Sequence, residues 1–99
     1  MRLTPEQVQA IRHAAHRILG SGARVSLFGS RVLDDRKGGD IDLFFETDQA
    51  LDNRAKTICQ LSGALIMALG DRKIDVILKD VNTPPAAIFD IAKRTGIRL

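Results

Sequence analysis

The chain has 99 residues, 44% of them apolar and 27% charged, with a net charge of +3 at neutral pH. That is room for one domain with a modest core, spanning residues 1–99. Fifteen Lys and Arg are spread along the sequence with no dense basic run, and Trp and Tyr are absent. A basic groove with stacking aromatics is therefore missing, and no direct nucleic-acid partner is expected. One cysteine, Cys59, excludes an internal disulfide, and no apolar run approaches the length that spans a bilayer. A cytoplasmic location is expected, with no membrane partner.

Thr4-Pro5-Glu6-Gln7 carries the marks of a helix start: Thr4 as N-cap, Pro5 in the first turn and Gln7 closing a capping box. Val8, Ile11, Ala15 and Ile18 recur at helical spacing, and the glycines at 20 and 22 end the helix. Arg24 to Phe28 then reads as a strand. Gly29-Ser30 turns the chain, Asp34 to Gly39 forms a polar loop, and Asp40 to Glu46 is a second strand. Thr47 or Asp48 is expected to cap a long helix running to Leu69 and closed by Gly70. Its core stripe is Leu51, Ala55, Ile58, Ser62, Leu65, Ile66 and Leu69. Cys59 is expected as core filler. Leu61, Ala64, Met67 and Ala68 make the second half apolar nearly all round, which fits deep burial or a partner surface. Lys73 to Leu78 is a third strand. Thr83-Pro84-Pro85 opens a last helix ending at Gly96, and Ile97 to Leu99 is a short strand or a tail. This order predicts an α/β (α+β) domain with helices over a three- or four-stranded sheet.

Two carboxylates inside the second strand require explanation, because a buried charge is costly unless paired. Side chains alternate along a strand, so Asp40 and Asp42 leave the same face roughly 7 Å apart. Ile41, Leu43 and Phe45 take the other face, toward the core. Two such carboxylates repel unless a cation holds both, and a hard cation such as Mg²⁺ favours oxygen ligands. Asp75 repeats the pattern: in "IDVIL", Ile74, Val76 and Leu78 face one way, Asp75 and Ile77 the other. If the two strands pair, three carboxylates meet on one patch of sheet. That is the donor set of a two-metal site, whose ions stand roughly 3.5–4 Å apart and steady the oxygens of a displacement at phosphorus. Gly29-Ser30 adds a turn where backbone amides approach a phosphate closely, with Arg31, Arg36 and Lys37 in the adjoining loop to offset its charge.

Taken singly these signals are weak, since a G-S pair or a D-x-D is common by chance. In order, they resemble the nucleotidyltransferase superfamily of DNA polymerase β. "LFGS", nine intervening residues, "DIDLF" and "IDVIL" follow its signature over residues 24 to 80. Small size and the "GSR" start resemble the minimal nucleotidyltransferases (MNT), the antitoxin half of HEPN/MNT toxin–antitoxin pairs. One departure is Gly39, where many members have Ser before the first Asp. The resemblance implies a nucleotidyltransferase fold and a Mg²⁺-dependent transfer of AMP from ATP to a tyrosine of a HEPN ribonuclease toxin, in a hetero-oligomeric complex. It assigns Gly29 and Ser30 to the triphosphate, beside which Arg31 is the best placed of the loop cations, and Asp40, Asp42 and Asp75 to two metal ions and catalysis. Two alternatives stay open: an antitoxin acting by occlusion alone, and a transferase for a small-molecule acceptor.

His13 and His16 stand on the polar face of the first helix without a third ligand, so a solvated face is expected. "GSGARV" lacks the third glycine of a dinucleotide fingerprint, and no Walker A sequence is present.

Overall fold

A computed structural model describes residues 3–28, 41–70 and 73–99. Elements follow in the order α1 (Pro5–Leu19), β1 (Arg24–Leu27), β2 (Ile41–Glu46), α2 (Arg54–Leu69), β3 (Ile74–Lys79), α3 (Ala87–Thr95) and β4 (Ile97–Arg98). The four strands form one mixed sheet in the order β3-β2-β1-β4. β1 runs antiparallel to β2 and to β4, whereas β2 and β3 are parallel, as a crossover through α2 requires.

The start of α1 follows directly from its sequence. Thr4 Oγ1 accepts the Gln7 amide at 3.1 Å, and Gln7 Oε1 accepts the Thr4 amide at 2.9 Å. Both orphan donors are thus satisfied reciprocally. Gly20 ends the helix at φ +100°, a conformation that favours glycine.

The main core lies between α1, α2 and one sheet face. It holds Ile11, Ala15 and Leu19 of α1, Leu61, Leu65 and Leu69 of α2, and Ile41, Leu43, Phe45 and Leu78 of β2 and β3. A second, smaller cluster on the opposite face joins Phe28, Phe44 and Ala92, with Ile77 and Phe89 against it. There α3 covers the middle of the sheet, and Phe89 stacks on Phe44 with ring centroids 5.8 Å apart.

Three expectations need correction. First, α2 starts at Arg54 behind the N-cap Asn53, whose side chain accepts the Lys56 amide. Thr47 and Asp48 do not cap it because tertiary partners hold them. The buried Thr47 hydroxyl donates to the Leu19 carbonyl at 3.4 Å, and Asp48 takes a two-pronged bond from Arg24 at 3.1 and 3.2 Å.

Second, the α2 stripe is rotated. Leu61 is fully buried, whereas Ile66 is 53% exposed and Met67 88% exposed. Ala55 and Cys59 are exposed too. Two residues advance a helix by about 200°, so a stripe through Leu61, Leu65 and Leu69 turns Cys59 outward.

Third, α3 begins at Ala87 and has no side-chain cap. Thr83 serves the preceding turn, where its hydroxyl accepts the Asp80 amide at 3.0 Å and donates to Asp80 Oδ1 at 2.8 Å. Ile97–Leu99 resolves as a short edge strand: Ile97 and Arg98 pair with β1, and the Leu99 amide donates to the Val25 carbonyl.

Gly96 joins α3 to β4 at a place with no room for a side chain. A Cβ there would overlap the Ala92 carbonyl oxygen and lie 3.3 Å from both the Leu27 carbonyl oxygen and Ser26 Cβ. Gly96→Ala is expected to destabilise by about 1–3 kcal/mol, as overpacking does. Thr4→Ala loses one cap and should cost about 1 kcal/mol. Urea unfolding of the two variants beside the parent checks both magnitudes.

Candidate functional site

On the α3 side of the sheet the side chains fall into three rungs. The first is charged: Arg24 stands opposite Glu46, which pairs in register with Lys79. The second lies beneath α3: Ser26, Phe44 and Ile77. The third is acidic: Asp42 pairs in register with Asp75 across the parallel β2–β3 ladder. Neighbouring strands stand about 4.8 Å apart, so the two carboxylates share one rung on one face. Asp42 is half-buried and Asp75 exposed. The opposite faces of the same strands are spent on the main core, which fixes which way the acids point.

The chain also leaves and re-enters the sheet at this rung. The Phe28 amide donates to the Asp42 carbonyl at 3.1 Å, and the Ile41 amide donates to the Lys73 carbonyl at 2.9 Å. Phe28 and Ile41, the described residues on either side of positions 29–40, are thus both anchored beside the acids. Gly29, Ser30, Arg31, Arg36, Lys37 and Asp40 lie outside the described residues. Among the described residues, no group of three or more His, Cys, Asp or Glu could hold a metal ion. The expected convergence is therefore described for two carboxylates, Asp42 and Asp75. Their chemistry, two oxygen-donor groups on adjacent strands open at one side, suits a hard divalent cation with water or phosphate completing its shell.

Other features do not compete for this role. A groove of about 570 Å³ between α1 and α2 is lined by Ala10, Ala14, Ala64 and Met67, with His13 and Arg17 at its rim. It is mainly apolar, with Glu6 also in its wall, and it lies on the helix side of the sheet away from the acidic rung. His13 and His16 are exposed, as their solvated helix face predicts.

A polar assembly that the sequence did not signal sits at the far end of β3. Asp80 is 2% exposed. Its Oδ2 accepts the Leu51 amide at 2.9 Å, and its Oδ1 accepts the Asn82 amide at 3.0 Å as well as the Thr83 hydroxyl. Arg54 approaches Oδ1 at 3.9 Å while donating to the Thr83 hydroxyl at 2.6 Å and the Leu78 carbonyl at 2.8 Å. The group ties the end of β3 to the start of α2, the helix of the crossover that joins β2 to β3. A cue existed in "KDVNT", where Asp80 followed three residues later by Thr83 fits an Asx-type turn.

The fold, three helices around a four-stranded mixed sheet, is one found in a solved toxin–antitoxin structure. Among solved structures, a chain of a mutant form of the toxin–antitoxin MntA-HpeT superimposes with a TM-score of 0.66. The match covers 99% of this chain and 72% of that one, at 22% identity, and is a likeness of fold. No protein-family model and no curated protein matches the sequence. Among the described residues, no helix is long and apolar enough to cross a membrane.

The Asp80 carboxyl is held below the usual carboxylate range, chiefly by the Leu51 amide and the Thr83 hydroxyl, against the opposing effect of burial. A group whose folded-state pKa lies below its unfolded value stabilises the fold above the unfolded value and ceases to as pH falls through the folded one. Stability should therefore drop on acidification below the ordinary carboxylate range. Asp80→Asn should melt lower at neutral pH and show a shallower acid limb. Thermal melts from neutral pH to strong acid check this, and parallel acid limbs would remove Asp80 from the account.

Proposed function

We propose that the chain is a Mg²⁺-dependent nucleotidyltransferase of the MNT antitoxin kind, which transfers AMP from ATP to a tyrosine hydroxyl of a HEPN-type toxin partner. The observation that carries this reading is the acidic rung: Asp42 and Asp75 paired in register at one end of a sheet face whose middle is apolar. The fold it shares with a chain of a toxin–antitoxin complex supports the partner class.

Asp42 and Asp75, with Asp40 two residues before Asp42 in the sequence, would hold the metal, which supplies charge stabilisation at the phosphates and orients them. Asp75, the more open of the two described acids, is assigned to receive the acceptor hydroxyl's proton. The bond that forms joins the tyrosine oxygen to the α-phosphorus, and the bond that breaks is the α–β bridging P–O, so pyrophosphate leaves. Gly29, Ser30 and Arg31 follow directly on Phe28, which is bonded to the Asp42 carbonyl. We assign them to the triphosphate, whose oxygens the backbone amides and the Arg31 guanidinium would bind.

This chain contains no tyrosine, so a tyrosine label must come from the partner. The chain, Mg²⁺, α-labelled ATP and the product of the adjacent reading frame are expected to give label on that product. Asp42→Ala should abolish it. Asp75 is exposed, so Asp75→Asn should fold normally while transfer falls by about 10²–10⁴-fold. Full neutralisation of the toxin by either variant would favour occlusion instead, and label found only on added metabolites would favour a small-molecule acceptor.

A further inference from the structure

Where β4 ends, beside the opposite end of β1 from the acids, lies a second and quite different cleft of about 230 Å³. It is bounded by Arg12 and His16 of α1, Arg24 of β1 and Arg98 of β4, with Ala23 and Leu99 between them. Arg24 is already committed: Asp48 takes both prongs of its guanidinium, and Glu46 lies 3.9 Å away. Arg12, His16 and Arg98 are exposed and make no ion pair among the described residues.

Arg12 and His16 are four residues apart, hence neighbours on one helix face, and a third basic residue arrives from the sheet edge. Basic groups assembled in this way oppose one another unless an anion lies between them. The helix dipole accounts for His16, which lies in the last turn of α1, but not for Arg12 in mid-helix or Arg98 on a strand.

We propose that this cleft binds a phosphate oxyanion. Arginine forks match phosphate oxygens in shape and charge. The volume is below the roughly 300–1,000 Å³ of sites that enclose a whole drug-sized ligand, so the cleft takes a phosphate group rather than an entire nucleotide. No Phe, Tyr or Trp bounds it, so it lacks the large aromatic platform of single-strand binders. The shared chemistry admits a free anion such as pyrophosphate, or one phosphodiester of a nucleic acid strand. The site needs no divalent ion and does not depend on the adenylyl-transfer reading.

The test uses the full chain in EDTA, which keeps the acidic rung free of metal. Amide spectra are recorded as sodium pyrophosphate is added, against sodium chloride at equal ionic strength. Saturable shifts centred on Arg12, His16 and Arg98 are expected. Affinity should be weakened about tenfold or more in the Arg12→Ala/Arg98→Ala double variant, whose circular dichroism should match the parent. A short uridine oligonucleotide that displaces pyrophosphate at the same signals would assign the anion to a nucleic acid strand. Failure to displace it would assign a free anion. Shifts reproduced by chloride, spread over the whole surface, or unchanged in the double variant would overturn the proposal.

Discussion

The arrangement depends on one constraint, the register of the parallel β2–β3 ladder. Each of these strands gives one face to the main core and carries an acid on the other. A slip of β2 by one residue would turn Ile41, Leu43 and Phe45 toward the α3 side and drive Asp42 into the core. Losing burial of those three side chains alone would cost about 5–9 kcal/mol, against a total stability of about 5–15 kcal/mol for a typical domain. Packing on one face therefore determines the placement of charge on the other, and repulsion between Asp42 and Asp75 is too small to undo it.

The rest of the molecule reinforces that register from its ends. Asp80, Arg54 and Thr83 bind the exit of β3 to the entry of α2. Arg24 and Asp48 fasten the segment after β2 to β1, and that pairing raises the Arg24 pKa and lowers that of Asp48. On the α3 side, Phe89 over Phe44 covers the middle rung and leaves the outer two charged. One sheet face is thus divided lengthwise into an acid end, an apolar middle and a mixed-charge end.

What could be read from the sequence was local or strictly periodic. The capping box at Thr4 and Gln7 involves residues three apart, and the alternation in "IDLFFE" and "IDVIL" separates core from acid without any knowledge of strand order. Signals whose partners lie far away in sequence were misread. Thr47 and Asp48 are good helix caps by residue type, yet Leu19 and Arg24, 28 and 24 residues away, hold them instead. The phase of α2 was ambiguous because its second half is apolar on every side, so Ile66 and Leu61 could exchange roles until the sheet beneath was known. The pairing of Asp42 with Asp75 needed a strand order that no short pattern encodes.

The parallel ladder also sets a sequence of events in time. Asp42 and Asp75 lie on opposite sides of a crossover, so on the ribosome the first is synthesised well before the second. During that interval β2 can pair with β1 alone, and its other edge presents unsatisfied amides and carbonyls. Such non-local closure is slow compared with the formation of helices. A nascent chain halted before β3 emerges exposes that edge of β2, the kind of unpaired strand on which another chain can pair.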